Sequence, residues 1–265
     1  MDWDDAYANA PYIPGAEAYP GRWEAEAAAF RGRMSSKGLT ELGIAYGASD
    51  RQRFDLFMPE GVSRGLCVFV HGGYWLKFHR AFWSHFAAGM LARGWTVAMP
   101  SYDLCPQVHI ADITGQIAQA ITAVAARADG PILLAGHSAG GHLVARMCVA
   151  GVLPKAVFER VGHVMPISPV SDLRPLIKTA MNADFRLDEA RAVAESPALM
   201  TPLKVPVTVW VGAEERPVFL DQARWLAEAW GAAHVVDTNR HHFDVIDGLK
   251  DGQSAITEAL ISGSG

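Results

Sequence analysis

The sequence has few cysteines and no disulfide framework. Its 265 residues contain only three, Cys67, Cys105 and Cys148, which are widely spaced in apolar or loop surroundings. Such spacing predicts reduced, packed thiols. The first residues, Met1-Asp2-Trp3-Asp4-Asp5, are acidic and lack the apolar run of a secretory signal. We therefore expect a cytoplasmic protein.

Basic clusters, long apolar runs and metal-binding motifs are also missing. The chain has 23 basic and 28 acidic residues and a net charge of −5. A chain without a basic patch is not expected to bind nucleic acid or an anionic membrane. No run is long enough to span a bilayer, and no histidine pair has convincing metal-ligand spacing with a carboxylate. We predict no metal and no cofactor.

Apolar segments of strand length alternate with segments of helical periodicity. Predicted strands cover 53–58, 66–70, 95–99, 131–135, 163–167, 205–211 and 234–237, and predicted helices cover 79–93, 110–128, 218–230 and 245–261. This alternation predicts an α/β fold with a mostly parallel sheet and ligands at the carboxyl ends of its strands. The length fits a single domain over residues 1–265.

A Gly-x-Ser-x-Gly motif follows the apolar run 131–135. Ser138 stands between Gly136 and Gly140, and a helix-like stretch comes directly after. A serine on a tight strand-to-helix turn is typical of a nucleophile elbow, because the flanking glycines let strand and helix pack closely. A glycine-rich turn that merely contains serine is the alternative.

The strand predicted at 66–70 ends in a second glycine motif. His71, Gly72, Gly73, Tyr74 and Trp75 follow in that order, and the two glycines allow backbone N–H groups to face a ligand. Acyl transfer needs such donors where the carbonyl oxygen becomes negative. We assign this oxyanion hole to the N–H groups of Gly73 and Tyr74, together with that of Ala139 after the serine. His71 is expected to fix the loop.

The general base and its acid are expected late in the chain. His241 and His242 follow the last predicted strand, and we favour His242 because the apolar residues after it suit an anchoring helix. Glu214 and Glu215 follow the strand predicted at 205–211, and either carboxylate could orient the histidine. We favour Glu215.

These motifs, in this order, resemble those of the α/β-hydrolases of the esterase–lipase type. The kynurenine formamidase (arylformamidase) branch is most similar, with its His-Gly-Gly-x-Trp signature at 71–75. Segments 102–106, 136–143, 215–222 and 242–246 also resemble the family, so the likeness runs from about 54 to about 260. The resemblance implies the α/β-hydrolase fold and a Ser138-His242-Glu215 triad. The family more often has aspartate at the position of Glu215.

Two segments are expected to border the substrate pocket. The first is an N-terminal arm, residues 1–38, whose aromatic residues and prolines show no clear periodicity; it either covers the mouth of the site or packs against the body. The second is a helical cap-like insertion at about 169–202. Tyr74, Phe78 and His137 adjoin the two glycine motifs and are predicted to line the pocket.

The predicted function is hydrolysis of a small acyl substrate through an acyl-enzyme. The resemblance implies an aryl formamide similar to N-formylkynurenine. A general short-chain carboxylesterase or a thioesterase is the alternative, because one triad accepts many acyl groups. A ligand-binding protein that uses the fold without catalysis is a third hypothesis. The sequence leaves the oligomeric state open.

Overall fold

A computed structural model describes residues 2–263, so Met1, Ser264 and Gly265, which the predicted domain includes, lie outside the described residues. Eight strands in this range form one sheet: β1 (Thr40–Ala45), β2 (Arg53–Phe57), β3 (Leu66–Val70), β4 (Thr96–Pro100), β5 (Ile132–His137), β6 (Val161–Ile167), β7 (Thr208–Gly212) and β8 (Ala233–Asp237). Their spatial order is β1-β2-β4-β3-β5-β6-β7-β8. Strand β2 is antiparallel to β1 and β4, and all other neighbours are parallel. The predicted α/β fold with a mostly parallel sheet is confirmed.

Helices cover both faces of the sheet. They are α1 (Trp3–Ala6), α2 (Tyr19–Ser36), α3 (Ala88–Ala92), α4 (Ile110–Ala125), α5 (Ala139–Arg146), α6 (Lys155–Phe158), α7 (Asn182–Phe185), α8 (Glu189–Ala194), α9 (Pro217–Trp230) and α10 (Ala255–Ser262). The cap-like insertion consists of α7, α8 and short 3-10 turns at Arg174–Lys178 and Pro197–Leu199. None of the helices within residues 2–263 is both long and apolar enough to cross a membrane.

The central strands are apolar on both faces because each face is covered. Every residue of β3, β4 and β5 is buried. On one face, Val68 and Leu134 pack with Ile117 of α4. On the other, Phe69 and Leu133 belong to a second apolar cluster with residues of α3 and α10. Parallel strands buried on both sides read as continuous apolar runs, which is why β3, β4 and β5 were predictable.

The predicted helices at 79–93 and 245–261 are wrong in their length, because each segment contains 3-10 turns and only a short α-helix. The segment 79–93 contains 3-10 turns at Arg80–Phe82 and Ser84–Ala87 before the short α3. Trp83, at φ −120°, separates the two turns while its ring packs against those of Trp23 and Phe86. The segment 245–261 is a 3-10 turn at Asp247–Lys250 followed, after a break, by α10, whose first turn is capped by the Ser254 hydroxyl.

The sequence also concealed two elements near the N-terminus. Helix α2 lies in the arm, where Trp23, Ala27 and Phe30 are buried at helical spacing. Its many alanines weaken the contrast between apolar and polar faces, so the periodicity was not recognised. Strand β1 lies at the edge of the sheet and has no buried residue, so it lacks the apolar run that marked the inner strands.

Candidate active site

The four loops that carry the predicted site residues all follow strands at the same edge of the sheet. Ser138 follows β5, the His71–Phe78 loop follows β3, Glu215 follows β7, and His242 follows β8. Because these four strands are parallel, their carboxyl ends meet along one edge. Residues that are far apart in sequence are thereby brought to a common crevice.

Ser138 occupies a strained turn between β5 and α5. Its backbone has φ 57° and ψ −118°, and its N–H donates to the Ile167 carbonyl at 2.8 Å. A Cβ at Gly136 would lie 2.2 Å from the Gly140 oxygen, and one at Gly140 would lie 2.0 Å from the Val70 oxygen. The two glycines are therefore needed for close packing of strand and helix. A non-glycine residue held in such a conformation costs about 1–3 kcal/mol and occurs where the surrounding structure fixes it.

The loop after β3 packs directly against this turn. A Cβ at Gly72 would lie 2.8 Å from the His137 oxygen and 3.0 Å from the Ser138 Cβ. His71 is buried, its Nδ1–H donates to the Gly72 carbonyl at 2.8 Å, and its ring stacks on Tyr102 at 4.5 Å. Burial lowers the pKa of His71 to about 3. A neutral imidazole with these contacts fixes the loop.

Three backbone N–H groups around the turn are free to bind a ligand. Within residues 2–263, neither Gly73 nor Tyr74 donates its N–H to another protein group. Ala139 is the first residue of α5, and the N–H groups in the first turn of a helix have no carbonyl acceptor within that helix. Gly73 and Tyr74 both have positive φ, of 109° and 53°. These are the three groups that the sequence assigns to the oxyanion hole.

His242 and Glu215 form a buried pair. The His242 Nδ1 lies 2.6 Å from Glu215 Oε2, and the Glu215 side chain is 0% exposed. The other carboxylate oxygen of Glu215 accepts the Gly212 N–H at 3.0 Å and the Ser168 hydroxyl. Three donors therefore surround this carboxylate. Hydrogen bonds from these donors satisfy the buried carboxylate and fix the orientation of the imidazole that it contacts.

The competing residues of each loop lie elsewhere. Glu214 is exposed, and its N–H donates to the Arg240 carbonyl at 2.8 Å. The His241 Nδ1 lies 3.2 Å from Asp244 Oδ1, and its Nε2 lies 3.1 Å from the Tyr19 hydroxyl. Within residues 2–263, no hydrogen bond joins the side chain of Glu214 to a histidine or the side chain of His241 to a glutamate, in contrast to the pair formed by Glu215 and His242.

His137 is hydrogen-bonded to the loop that carries His242. Its Nε2–H donates to the His242 carbonyl at 2.9 Å, and the two rings are 4.8 Å apart. Burial, followed by the charge of His242, holds the pKa of His137 well below its ordinary value. The ring is therefore neutral and adds no positive charge beside His242.

A cavity of about 730 Å³ opens over Ser138 and His242. Its lining includes Tyr74, Phe78 and His137, where the sequence analysis expects pocket residues, and side chains of the N-terminal arm. The arm and loop residues that give it a largely apolar wall are Tyr7, Ala8, Ala10, Pro11, Ala16, Pro20, Trp23, Leu76, Trp83, Met181 and Phe243. Trp75 is not part of this wall; it is fully buried and packs edge-on against His142 and Phe185.

Sequence reasoning missed several side chains that complete the site. Ser168 follows β6 with φ 46° and bonds to Glu215, and Tyr7 and Asn9 reach the cavity from the arm. Ser168 could have been found as a serine at the carboxyl end of a predicted strand. The arm as a whole is expected to border the pocket, but no local signal singles out Tyr7 or Asn9 within it. Within residues 2–263, no three histidine, cysteine, aspartate or glutamate side chains are grouped so as to hold a metal ion.

Comparison with known proteins agrees with this fold and architecture. The chain is 25% identical over 248 residues to kynurenine formamidase of Salmo salar, covering 87% of this chain and 84% of that protein. It is 29% identical over 249 residues to the kynurenine formamidase of Drosophila melanogaster, covering 85% and 80%. A crystal structure from Silicibacter sp. TM1040, provisionally named a thioesterase, is 56% identical, covers 99% of both chains and superposes with a TM-score of 0.96.

A family profile described as the alpha/beta hydrolase fold matches residues 67–244, which is more than half of the chain. The matched range includes the glycine motif after β3, the serine turn and the histidine loop. The sequence-based resemblance is thus confirmed at the level of fold and family. The chain belongs to the alpha/beta hydrolase family.

Proposed function

We propose that this protein is a serine hydrolase that cleaves a small acyl ester or an aryl formamide through a Ser138-His242-Glu215 triad. The observation that carries the proposal is that Ser138, on its strained turn, shares one cavity with a histidine whose other nitrogen is held by a buried carboxylate. A serine and a carboxylate-bound histidine that border one cavity are two of the elements that nucleophilic acyl transfer requires.

The reaction proceeds in two steps. Because Glu215 engages His242 Nδ1, the Nε2 atom is left to accept the proton as Ser138 Oγ attacks the carbonyl carbon. The N–H groups of Gly73, Tyr74 and Ala139 bind the oxyanion of the tetrahedral intermediate. His242 then gives the proton to the leaving alcohol, thiol or amine. Water repeats the sequence on the acyl-enzyme and releases the acid.

The cavity wall supports an aromatic leaving group. Trp23, Phe78, Trp83 and Phe243 all border it, and flat apolar side chains favour stacking with an aromatic ring. Two similar proteins are named kynurenine formamidase. An aryl formamide resembling N-formylkynurenine is therefore the substrate that we favour.

A general short-chain carboxylesterase or thioesterase is the second candidate. Its support is the 56% identity to the protein provisionally named a thioesterase. The triad chemistry is the same for esters, thioesters and formamides, so the fit of the leaving group decides among them.

The test is a comparison of kcat/KM for N-formylkynurenine, phenyl acetate and a short-chain acyl thioester, with Ser138→Ala as the blank. We expect Ser138→Ala to turn over none of the three substrates. We expect the wild-type protein to have its highest kcat/KM for the formamide. Turnover of the ester or thioester alone supports the second candidate. Turnover that survives in Ser138→Ala contradicts the proposed mechanism.

A further inference from the structure

The N-terminal arm is bonded to the loop that carries the oxyanion donors. The Tyr74 hydroxyl donates to the Tyr7 carbonyl at 2.7 Å. Tyr7 is buried, and its own hydroxyl accepts from Gln222 Nε2 at 2.8 Å. The Gln222 amide is held in turn by the N–H groups of Ser171 and Asp172. Tyr7 therefore links the loop after β3 to a rigid network on the body of the protein.

The loop that receives this bond is strained. Tyr74, Trp75 and Phe78 have φ values of 53°, 57° and 70°, a region that residues other than glycine seldom adopt. Each such residue costs about 1–3 kcal/mol, and the conformation persists only where its surroundings impose it. The bond from Tyr74 to Tyr7 is one such constraint, and it acts on a residue that lines the cavity and whose N–H is proposed as an oxyanion donor.

The arm also touches both other loops of the site, each time at the neighbour of a proposed triad residue. Arg216, next to Glu215, donates to the Asp5 carboxylate at 2.9 Å and to the Asp5 carbonyl at 3.1 Å. His241, next to His242, lies 3.1 Å from the Tyr19 hydroxyl. One segment of chain thus contacts all three loops.

Phe219 lies where these contacts converge. Its ring centroid is 6.0 Å from that of Tyr7, 6.4 Å from Tyr74 and 4.3 Å from His242. The ring is fully buried. A shift of Tyr7 would therefore be transmitted by direct packing to both the oxyanion loop and the imidazole.

We infer that the N-terminal arm is a positioning element of the active site, in which the Tyr7 carbonyl holds Tyr74 and thereby sets the oxyanion hole. This inference rests on the proposed function. The oxyanion exists only in the tetrahedral states, so the bond from Tyr74 to Tyr7 contributes to stabilising the transition state, whereas the arm side chains that line the cavity contact the substrate in the ground state as well. Loss of that bond lowers kcat and leaves KM nearly unchanged.

The test is Tyr74→Phe in the full chain, with Tyr46→Phe as the matched control. The first substitution removes the bond to the Tyr7 carbonyl. The second removes a bond from the Tyr46 hydroxyl to the Ser101 carbonyl at 2.6 Å, and neither of these residues belongs to the arm or lines the cavity. We expect kcat of Tyr74→Phe to fall by roughly 10–100-fold, less than the loss of an oxyanion donor itself, with KM within threefold. Tyr46→Phe keeps the wild-type kcat.

A second readout separates positioning from general loosening. Phosphonylation of Ser138 by an aryl phosphonate develops charge on an oxygen in the same hole, so its rate constant falls in proportion to kcat. Tyr7→Phe, which breaks the bond to Gln222 but keeps the carbonyl, is expected to lower kcat in the same direction by a smaller factor. It also serves as the test if Tyr74→Phe does not fold.

Two outcomes distinguish the two proposals. Folded Tyr74→Phe and Tyr7→Phe proteins with kcat within twofold of wild type, alongside inactive Ser138→Ala, overturn the positioning role and leave the proposed function intact. Wild-type protein that neither turns over acyl substrates nor reacts with the phosphonate overturns the proposed function itself.

Discussion

The Nδ1 atom of His242 lies 2.6 Å from Oε2 of Glu215, in a pair whose side chains are 4% and 0% exposed. The Glu215 carboxylate is thus removed from contact with water. Glu215 tolerates this because its second oxygen accepts two further hydrogen bonds, from Ser168 and Gly212. The arrangement fixes which imidazole nitrogen carries the proton, and most of the expected effects of mutation follow from it.

Glu215→Gln tests the assignment of the acid. A glutamine amide at this site presents an N–H₂ group to His242 Nδ1 and favours the tautomer with its proton on Nε2, where it cannot accept from Ser138. We expect kcat to fall by roughly 100- to 10,000-fold. Glu214→Gln is the matched control and should retain kcat within about twofold, since Glu214 is exposed. Equal, small losses in both variants would place the acid elsewhere.

His242→Ala tests the general base. Without this imidazole nothing accepts the Ser138 proton, and kcat should fall by at least about 1,000-fold. His241→Ala removes a ring that contacts Tyr19 and Asp244, so it should keep most of its turnover. Steady-state kinetics on the preferred substrate measure both. A reversed order would assign the base to His241.

Acid is expected to destabilise the fold through its buried neutral histidines. Burial lowers the pKa of His142 from 6.5 to about 4, and its Nε2–H donates to the Glu195 carbonyl at 2.7 Å. Between pH 6.5 and about 4, His142 is protonated in the unfolded chain but neutral in the native state. The free energy of unfolding therefore falls as pH falls through this window, by up to about 1.4 kcal/mol per pH unit for this one group.

Urea unfolding at pH 7, 6 and 5 measures this slope. His142→Gln keeps an N–H donor near the Glu195 carbonyl but cannot take up a proton, so its free energy of unfolding should depend less steeply on pH. An identical slope in the two proteins would mean that other groups cause the acid sensitivity.

Gly140→Ala tests the packing of the serine turn. A methyl group there would lie 2.0 Å from the Val70 oxygen, and β3 cannot move away without disturbing the sheet. We expect the variant to lose several kcal/mol of unfolding free energy, or not to accumulate in folded form. Gly115→Ala, in the middle of α4 with open space around it, is the control and should be neutral or stabilise the protein by about 1 kcal/mol. Equal thermal stability of both variants would contradict the tight packing described for the turn.

Strands β2 to β8 and the loops that carry the candidate site were predictable because their signals are local. Ser138 sits in a five-residue motif, and residues 132–135 of β5 before it form an uninterrupted apolar run. Once a mostly parallel sheet is inferred, the carboxyl ends of β3, β5, β7 and β8 must share an edge. The sequence alone therefore predicts that Glu215 and His242 lie in the same region.

The contacts of the arm were not predictable in this way. The bond between Tyr74 and Tyr7 joins residues 67 positions apart, and that between Ser168 and Glu215 spans 47. No sequence spacing predicts either contact, because each depends on how the loops pack against one another in the folded protein. Helix α2 was missed for a different reason, because alanines surround its buried Trp23, Ala27 and Phe30.

The most direct test of the account is covalent labelling with an aryl phosphonate, read by intact mass and by peptide mapping. We predict a single adduct on Ser138 in the wild-type protein, formed at a rate that parallels loss of hydrolytic activity, and no adduct in Ser138→Ala. An active protein that remains unlabelled, or that is labelled at another residue while Ser138→Ala keeps its activity, would contradict the central claim that Ser138 is the nucleophile.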